Sequence, residues 1–146
     1  MLSQRGRYAL KALLDIARHG GARQVSAIAR DESISRKFLE AIMSDLRRAG
    51  LVEGRRGAQG GYTLSRPADQ ISFADVVRAT DGPLAMLPCV SLNFYQSCED
   101  CPDETNCLLR HAFLDVRDAT IHILEQRTLA AALGGAEARK QAVADA

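Results

Sequence analysis

Apolar residues recurring at helical spacing, two short β-prone stretches around a glycine-rich tip, and a late heptad-like apolar stripe predict a mostly α-helical fold with a small β-hairpin wing. The expected architecture is a winged helix-turn-helix followed by a long helix for dimerisation. The 146 residues correspond to one domain, or to a small domain with an appendage, at about 100–200 residues per domain. Hydrophobic residues at 47% and charged residues at 25% describe a soluble globular chain, not a disordered one.

The first helix begins near Arg7, where Ala9, Ala12, Leu13, Ile16 and Ala17 share a face, and Gly20-Gly21 ends it. A short second helix covers Val25-Ser26-Ala27-Ile28-Ala29, and Asp31-Glu32-Ser33 forms a turn. Ser35 caps a third helix that buries Phe38, Leu39, Ile42, Met43 and Leu46 and ends at Gly50. Leu51-Val52-Glu53 and Tyr62-Thr63-Leu64 then flank a polar tip from Gly54 to Gly61, which is the wing. After Pro67, Ser72-Phe73-Ala74-Asp75 resembles a capping box opening a helix through Val76, Val77 and Thr80, stopped by Gly82-Pro83.

From Leu84 to Asn106 no period is sustained. Cys107 then opens a long amphipathic helix with Leu109, Ala112, Phe113, Val116, Thr120, Ile123 and Leu124 on one side, a stripe that calls for a partner helix. Thr128 caps a last short helix over Leu129 to Leu133, and Gly134-Gly135 stops it ahead of a loose polar tail. The chain thus divides into a winged helix-turn-helix at 1–66, a connecting helix at 67–83, a cysteine-rich loop at 84–107, the dimerisation and terminal helices at 108–133, and a tail at 134–146.

Charge separates the two halves. Met1 to Arg66 holds 13 Lys or Arg against 6 Asp or Glu, a balance of +7, whereas Pro67 to Ala146 holds 6 against 12, a balance of −6. The first half suits a polyanion and the second does something else. Apolar runs are broken by Arg, Asp or Lys well short of the roughly 18 residues a spanning helix needs. The opening Met1-Leu2-Ser3-Gln4-Arg5 has no apolar export region, so no membrane association and a cytoplasmic location are expected.

On the outer face of the third helix, Arg36, Lys37, Arg47 and Arg48 offer charge to phosphates, and Glu40 is a candidate acceptor for cytosine N4 in the major groove. A carboxylate there repels phosphates, so it fits sequence discrimination better than affinity; the alternative is an intrahelical salt bridge. Arg55 and Arg56 sit on the wing, where Arg56 can enter a narrow minor groove or remain a solvated turn residue.

The cysteines are spaced Cys89-x8-Cys98-x2-Cys101-x5-Cys107, with His111 four residues further on. Such clustering in a reducing compartment points to a metal or an iron–sulfur cluster ahead of a structural disulfide, and spacing alone does not separate zinc from iron–sulfur ligation. An exchange dithiol at Cys98-x2-Cys101 is a rival reading, but no thioredoxin-like βαβ pattern surrounds it. A partner-binding module with structural zinc is another.

The segments Gly6-Arg7-Tyr8-Ala9-Leu10, Ile34-Ser35-Arg36-Lys37-Phe38-Leu39-Glu40, Leu46-Arg47-Arg48-Ala49-Gly50-Leu51-Val52 and Arg56-Gly57-Ala58-Gln59-Gly60-Gly61-Tyr62 together resemble the Rrf family of bacterial winged-helix regulators. The resemblance covers nearly the whole chain. It implies a non-enzymatic transcription regulator on double-stranded operator DNA, acting as a homodimer crossed by the long helix, with cysteines ahead of that helix ligating an iron–sulfur cluster. It also implies that Glu40 takes part in base recognition and Arg56 in the minor groove. A two-iron two-sulfur cluster is the favoured cofactor and zinc the alternative.

Three features depart from the family pattern. The best-known members space three cysteines at x5 and x5; the acidic ligand that the family's nitric-oxide sensors can use, near the start of the first helix of the partner subunit, is matched here by Arg7; and the histidine that its iron–sulfur regulator uses three residues after the last cysteine is matched by Arg110, with His111 one step further. The fourth ligand is therefore Cys89 or His111, and a full thiolate set favours Cys89.

Overall fold

The computed structural model describes the backbone of residues 2–144 and the side chains of residues 2–137, so Met1, Asp145 and Ala146 lie outside it. Its helices are α1 Gln4–His19, α2 Val25–Asp31, α3 Arg36–Arg48, α4 Phe73–Thr80, α5 Leu108–Gln126 and α6 Leu129–Ala144; the strands are β1 Val52–Arg55 and β2 Gly61–Leu64. This is the expected winged helix with a long helix after it.

Local chemistry accounts for the boundaries. Ser3 caps α1 by accepting from the Gly6 N–H at 2.9 Å, and Gly20 closes it in the left-handed conformation at φ 69°. Ser72 and Asp75 form the reciprocal capping box of α4, with the Asp75 N–H donating to Ser72 Oγ at 3.1 Å and the Ser72 N–H to Asp75 at 3.0 Å. Leu13 and Ile16 of α1, Ile28 of α2, and Leu39, Ile42, Met43 and Leu46 of α3 are buried in one core. Their helical spacing makes α3 present one apolar stripe inward and leaves its charged residues outside.

The strands pair antiparallel from Val52↔Leu64 to Arg55↔Gly61, and Arg23 adds a bridge to Tyr62. The wing turn depends on two glycines. A Cβ at Gly60 would stand 2.4 Å from the Arg55 carbonyl oxygen, and one at Gly61 would stand 2.3 Å from that of Arg23. Only a bare backbone fits there.

The end of the chain differs from expectation in two respects. The last helix does not stop at Gly134-Gly135 but continues to Ala144, so the residues of the expected tail that are described are helical. Two glycines cost about 2 kcal/mol in a helix interior, but they are flanked by Ala, Glu, Arg, Lys and Gln, which are good helix formers. The start of α6 is also fixed in the first half of the molecule: a bridge joins Ser72 to Thr128, and Leu129 is fully buried in the main core. The second difference lies in α5, whose apolar residues divide between two faces. Phe113, Leu114, Thr120 and Leu124 are half-buried, whereas Leu109, Ala112, Val116, Ala119 and Ile123 are exposed at successive spacings of 3, 4, 3 and 4.

Candidate functional site

The exposed face of α3 carries Arg36, Lys37, Glu40, Arg47 and Arg48, and the adjacent wing carries Arg55 and Arg56, all solvent-facing. All seven candidate residues are therefore open to solvent. Arg47 reaches the wing, its guanidinium lying 3.9 Å from the position of a Cβ on Gly54. Arg36 Nε donates to Glu40 Oε1 at 2.9 Å, so Glu40 makes the intrahelical ion pair that is the alternative to base reading. Arg48 pairs with Asp45 at 3.2 Å, and Asp45 is also held by Arg5 from α1. Among the described ion pairs none engages Lys37, Arg47, Arg55 or Arg56, which leaves them free for phosphates.

The loop between α4 and α5 contains one 3-10 turn, Pro88–Val90, and is otherwise irregular. Its own polar groups shape it. Asp103 accepts from the Thr105 N–H at 2.9 Å and from the Asn106 amide at 2.5 Å, and the Tyr95 hydroxyl donates to the Glu104 carboxylate at 2.7 Å. The Asn106 and Thr105 donors hold the Asp103 carboxyl below its ordinary value. The Glu104 carboxylate accordingly pushes the Tyr95 phenol up.

All four cysteines are free thiols and line one cavity of about 340 Å³. Cys89 is buried, in the 3-10 turn, whereas Cys98 is exposed and Cys101 and Cys107 are half-buried. Cys107 occupies the N-cap of α5. No side-chain cap with full hydrogen-bond geometry forms there, yet the N–H groups of Arg110 and Leu109 face its sulfur closely enough to hold the thiol below its ordinary value, against the effect of burial. Cys101 beside it is pushed up by burial and by its contact with Cys107. The two neighbouring thiols are therefore shifted in opposite directions.

His111 is not part of this cavity; its Nε2 lies 2.8 Å from the Thr105 carbonyl oxygen. Arg110 does line it, and its Nε is buried without a hydrogen-bond partner. Among the described residues, the trio whose ligand atoms come within 4.8 Å of one another is Asp15, His19 and Asp31, not the cysteines. Arg23 donates to both carboxylates of that trio, at 2.8 Å and 2.6 Å, so the cation position is taken by a guanidinium. One zinc ion with Zn–S near 2.3 Å needs thiolates roughly 3.8 Å apart. Four cysteines lining one cavity supply the thiolate set that either a zinc ion or a two-iron cluster takes, although no three of their sulfurs lie within 4.8 Å of one another.

The Rrf2 model, described as an iron-dependent transcriptional regulator, matches residues 2–134. The chain belongs to the Rrf2 family. An rrf2-like HTH-type transcriptional regulator of Rhodobacter capsulatus is 40% identical over 134 residues, 88% of this chain and 89% of that protein. The solved structure of CymR, the global cysteine regulator of Bacillus subtilis, is similar at a TM-score of 0.73 and 31% identity, covering 90% of this chain and 94% of that one. IscR of T. potens is similar at a TM-score of 0.73 and 28% identity, covering 93% and 88%. These relatives are regulators and not enzymes, so the exchange-dithiol enzyme reading falls away, and this Rrf2 protein is a DNA-binding transcription regulator.

Two features of the site are not legible in the sequence. Arg110 stands out there only as a mismatch to the family histidine, and the Asp15–Arg23–Asp31 network gives no signal because its members are eight residues apart in irregular register. Among the described residues no helix is long and apolar enough to cross a membrane.

Proposed function

We propose that this Rrf2 protein is a cytoplasmic homodimer that reads operator DNA with α3 and the wing, and that Cys98, Cys101, Cys107 and Cys89 hold a two-iron two-sulfur cluster that governs the affinity. The observation that carries this reading is the convergence of all four cysteines on one cavity at the N-terminus of α5. A bound cluster would supply redox-sensitive, nitric-oxide-sensitive or iron-sensitive chemistry. His111 is left out of the ligand set because its Nε2 faces the Thr105 carbonyl.

The same residues link the site to the helix that sets the dimer. Cys107 caps α5, and Arg117 within α5 donates to the Val90 carbonyl at 2.7 Å, next to Cys89. A rearrangement of the thiolates therefore acts on α5 at two points. The exposed 3-4-3-4 stripe from Leu109 to Ile123 has the spacing of a coiled-coil seam and is the surface assigned to the second copy. Both recognition helices must reach half-sites about one helical turn apart, so a small change in the crossing of α5 alters affinity.

A thiol switch without metal is the second reading, favoured by the contact between the Cys101 and Cys107 sulfurs. The experiment is anaerobic purification with visible spectroscopy and iron, sulfide and zinc assays of the protein, its four Cys→Ala variants and His111→Ala. A coloured dimer that loses its cluster, but not its fold, in each variant supports the cluster; retention in Cys89→Ala with loss in His111→Ala would displace Cys89. Colourless protein whose DNA binding responds to thiol oxidants would select the second reading, and stoichiometric zinc would reject both.

A further inference from the structure

We propose that Arg110 is the charge-compensating residue of the cysteine site, its guanidinium donating to a cluster held by Cys89, Cys98, Cys101 and Cys107 and thereby setting how readily that cluster accepts an electron. This rests on the cluster reading above and adds a residue that is not a ligand. Arg110 lies in the first turn of α5, three residues after Cys107. Among the described residues lining the cavity it is the only cation, while Glu99 and Glu104 line it as anions.

The decisive atom is Nε. It is buried and has no hydrogen-bond partner, and the Glu104 Oε2 atom stands 3.8 Å away, beyond hydrogen-bond reach. Glu104 is in any case engaged by the Tyr95 hydroxyl, at 2.9 Å and 2.7 Å to its two oxygens. The Arg110 charge is opposed by Glu104 at 3.8 Å, but its buried Nε donor makes no hydrogen bond, and that leaves it a donor for an acceptor within the cavity. Four thiolates give a two-iron two-sulfur centre a net negative charge, and burial of that charge requires a compensating cation. Reduction adds one electron and breaks no bond, so the negative charge grows by one. A fixed cation at the wall favours the reduced form, and a fixed carboxylate opposes it.

The test is a one-electron titration of the anaerobically reconstituted full-length protein with dithionite and mediators, followed by visible absorbance. In Arg110→Gln the midpoint shifts to more negative potential by about tenfold in equilibrium constant, which is about 59 mV for a one-electron couple. In Arg110→Lys, which keeps the charge, most of the wild-type potential is recovered, and in Glu104→Gln the midpoint moves the opposite way. A merely structural role for the Arg110–Glu104 pair would not move the two variants in opposite directions. A coloured Arg110→Gln protein with an unmoved midpoint overturns the assignment. If Arg110→Gln does not load, an unmoved Glu104→Gln midpoint overturns it equally. Wild-type protein without iron and sulfide overturns the cluster reading itself, and the assignment with it.

Discussion

Arg23 joins the first helix to the wing: its Nε donates to Asp15 Oδ1 at 2.8 Å, while its backbone N–H donates to the Tyr62 carbonyl at 2.9 Å. Asp15 is 1% exposed, and the Tyr62 N–H returns a bond to the Arg23 carbonyl at 2.8 Å. The position of the wing relative to α1 therefore depends on a buried charge pair. Arg23→Ala leaves the Asp15 carboxylate buried without its cation and should cost about 3 kcal/mol of stability in urea unfolding. A loss below about 0.5 kcal/mol would show that the pair contributes only as an exposed one does.

Acid should weaken the molecule where two helix termini meet. Burial raises the Asp81 carboxyl, but the Ser3 hydroxyl and N–H, donating at 2.5 Å and 2.7 Å, outweigh it and hold the carboxyl below its ordinary 3.8. Arg23, then Arg30, hold Asp31 below 3.8 as well. A depressed folded value means that the stabilisation is present above pH 3.8 and disappears as pH falls through the lower folded value. Asp81→Asn should be less stable than the wild type by about 1 kcal/mol at pH 7, and the gap should close as pH drops below 3.8. A gap that stays constant with pH would assign the effect to packing.

Much of this fold can be read from the sequence because its determinants are local. The apolar spacing of α3, the Ser72–Asp75 capping box and the glycine-rich wing tip each act within a few residues. The course of α6 cannot be read that way. Gly134-Gly135 is a stop signal by propensity, whereas the helix persists from a start fixed by Leu129 in a distant core. In the cysteine loop the thiols are conspicuous and Arg110 is not, since the role proposed for it rests on a buried Nε without a hydrogen bond that only the folded chain defines. The two faces of α5 merge into one stripe in the sequence for a similar reason: a helix packed on one side and free on the other has too wide an apolar arc to divide by spacing alone.

Glu40 should act on discrimination more than on affinity. Its carboxylate is held at 2.9 Å by Arg36, so base reading requires it to exchange or share that partner. Glu40→Ala should lose or shift about 1–3 kcal/mol of preference at one base pair in competition binding, with little loss on random DNA. Equal weakening on specific and random DNA would leave Glu40 as an ion-pair partner alone.

Arg56→Ala should lower affinity and reduce the slope of log affinity against log salt by about one unit, because one phosphate-neutralising charge is removed. Arg56 is exposed and pairs with no described carboxylate, so folding stability should not change. An unchanged slope with intact affinity would place the wing off the DNA.

The central claim is that the state of the cysteine site controls DNA binding, and the most direct measurement is the affinity of the anaerobically loaded and the cluster-free protein for a site selected from random DNA, at one salt concentration. We predict at least a roughly tenfold difference between the two forms, abolished in Cys107→Ala, which removes a proposed cluster ligand at the start of α5. Equal affinity of both forms, with the loaded form verified by its iron and sulfide content, would contradict the account.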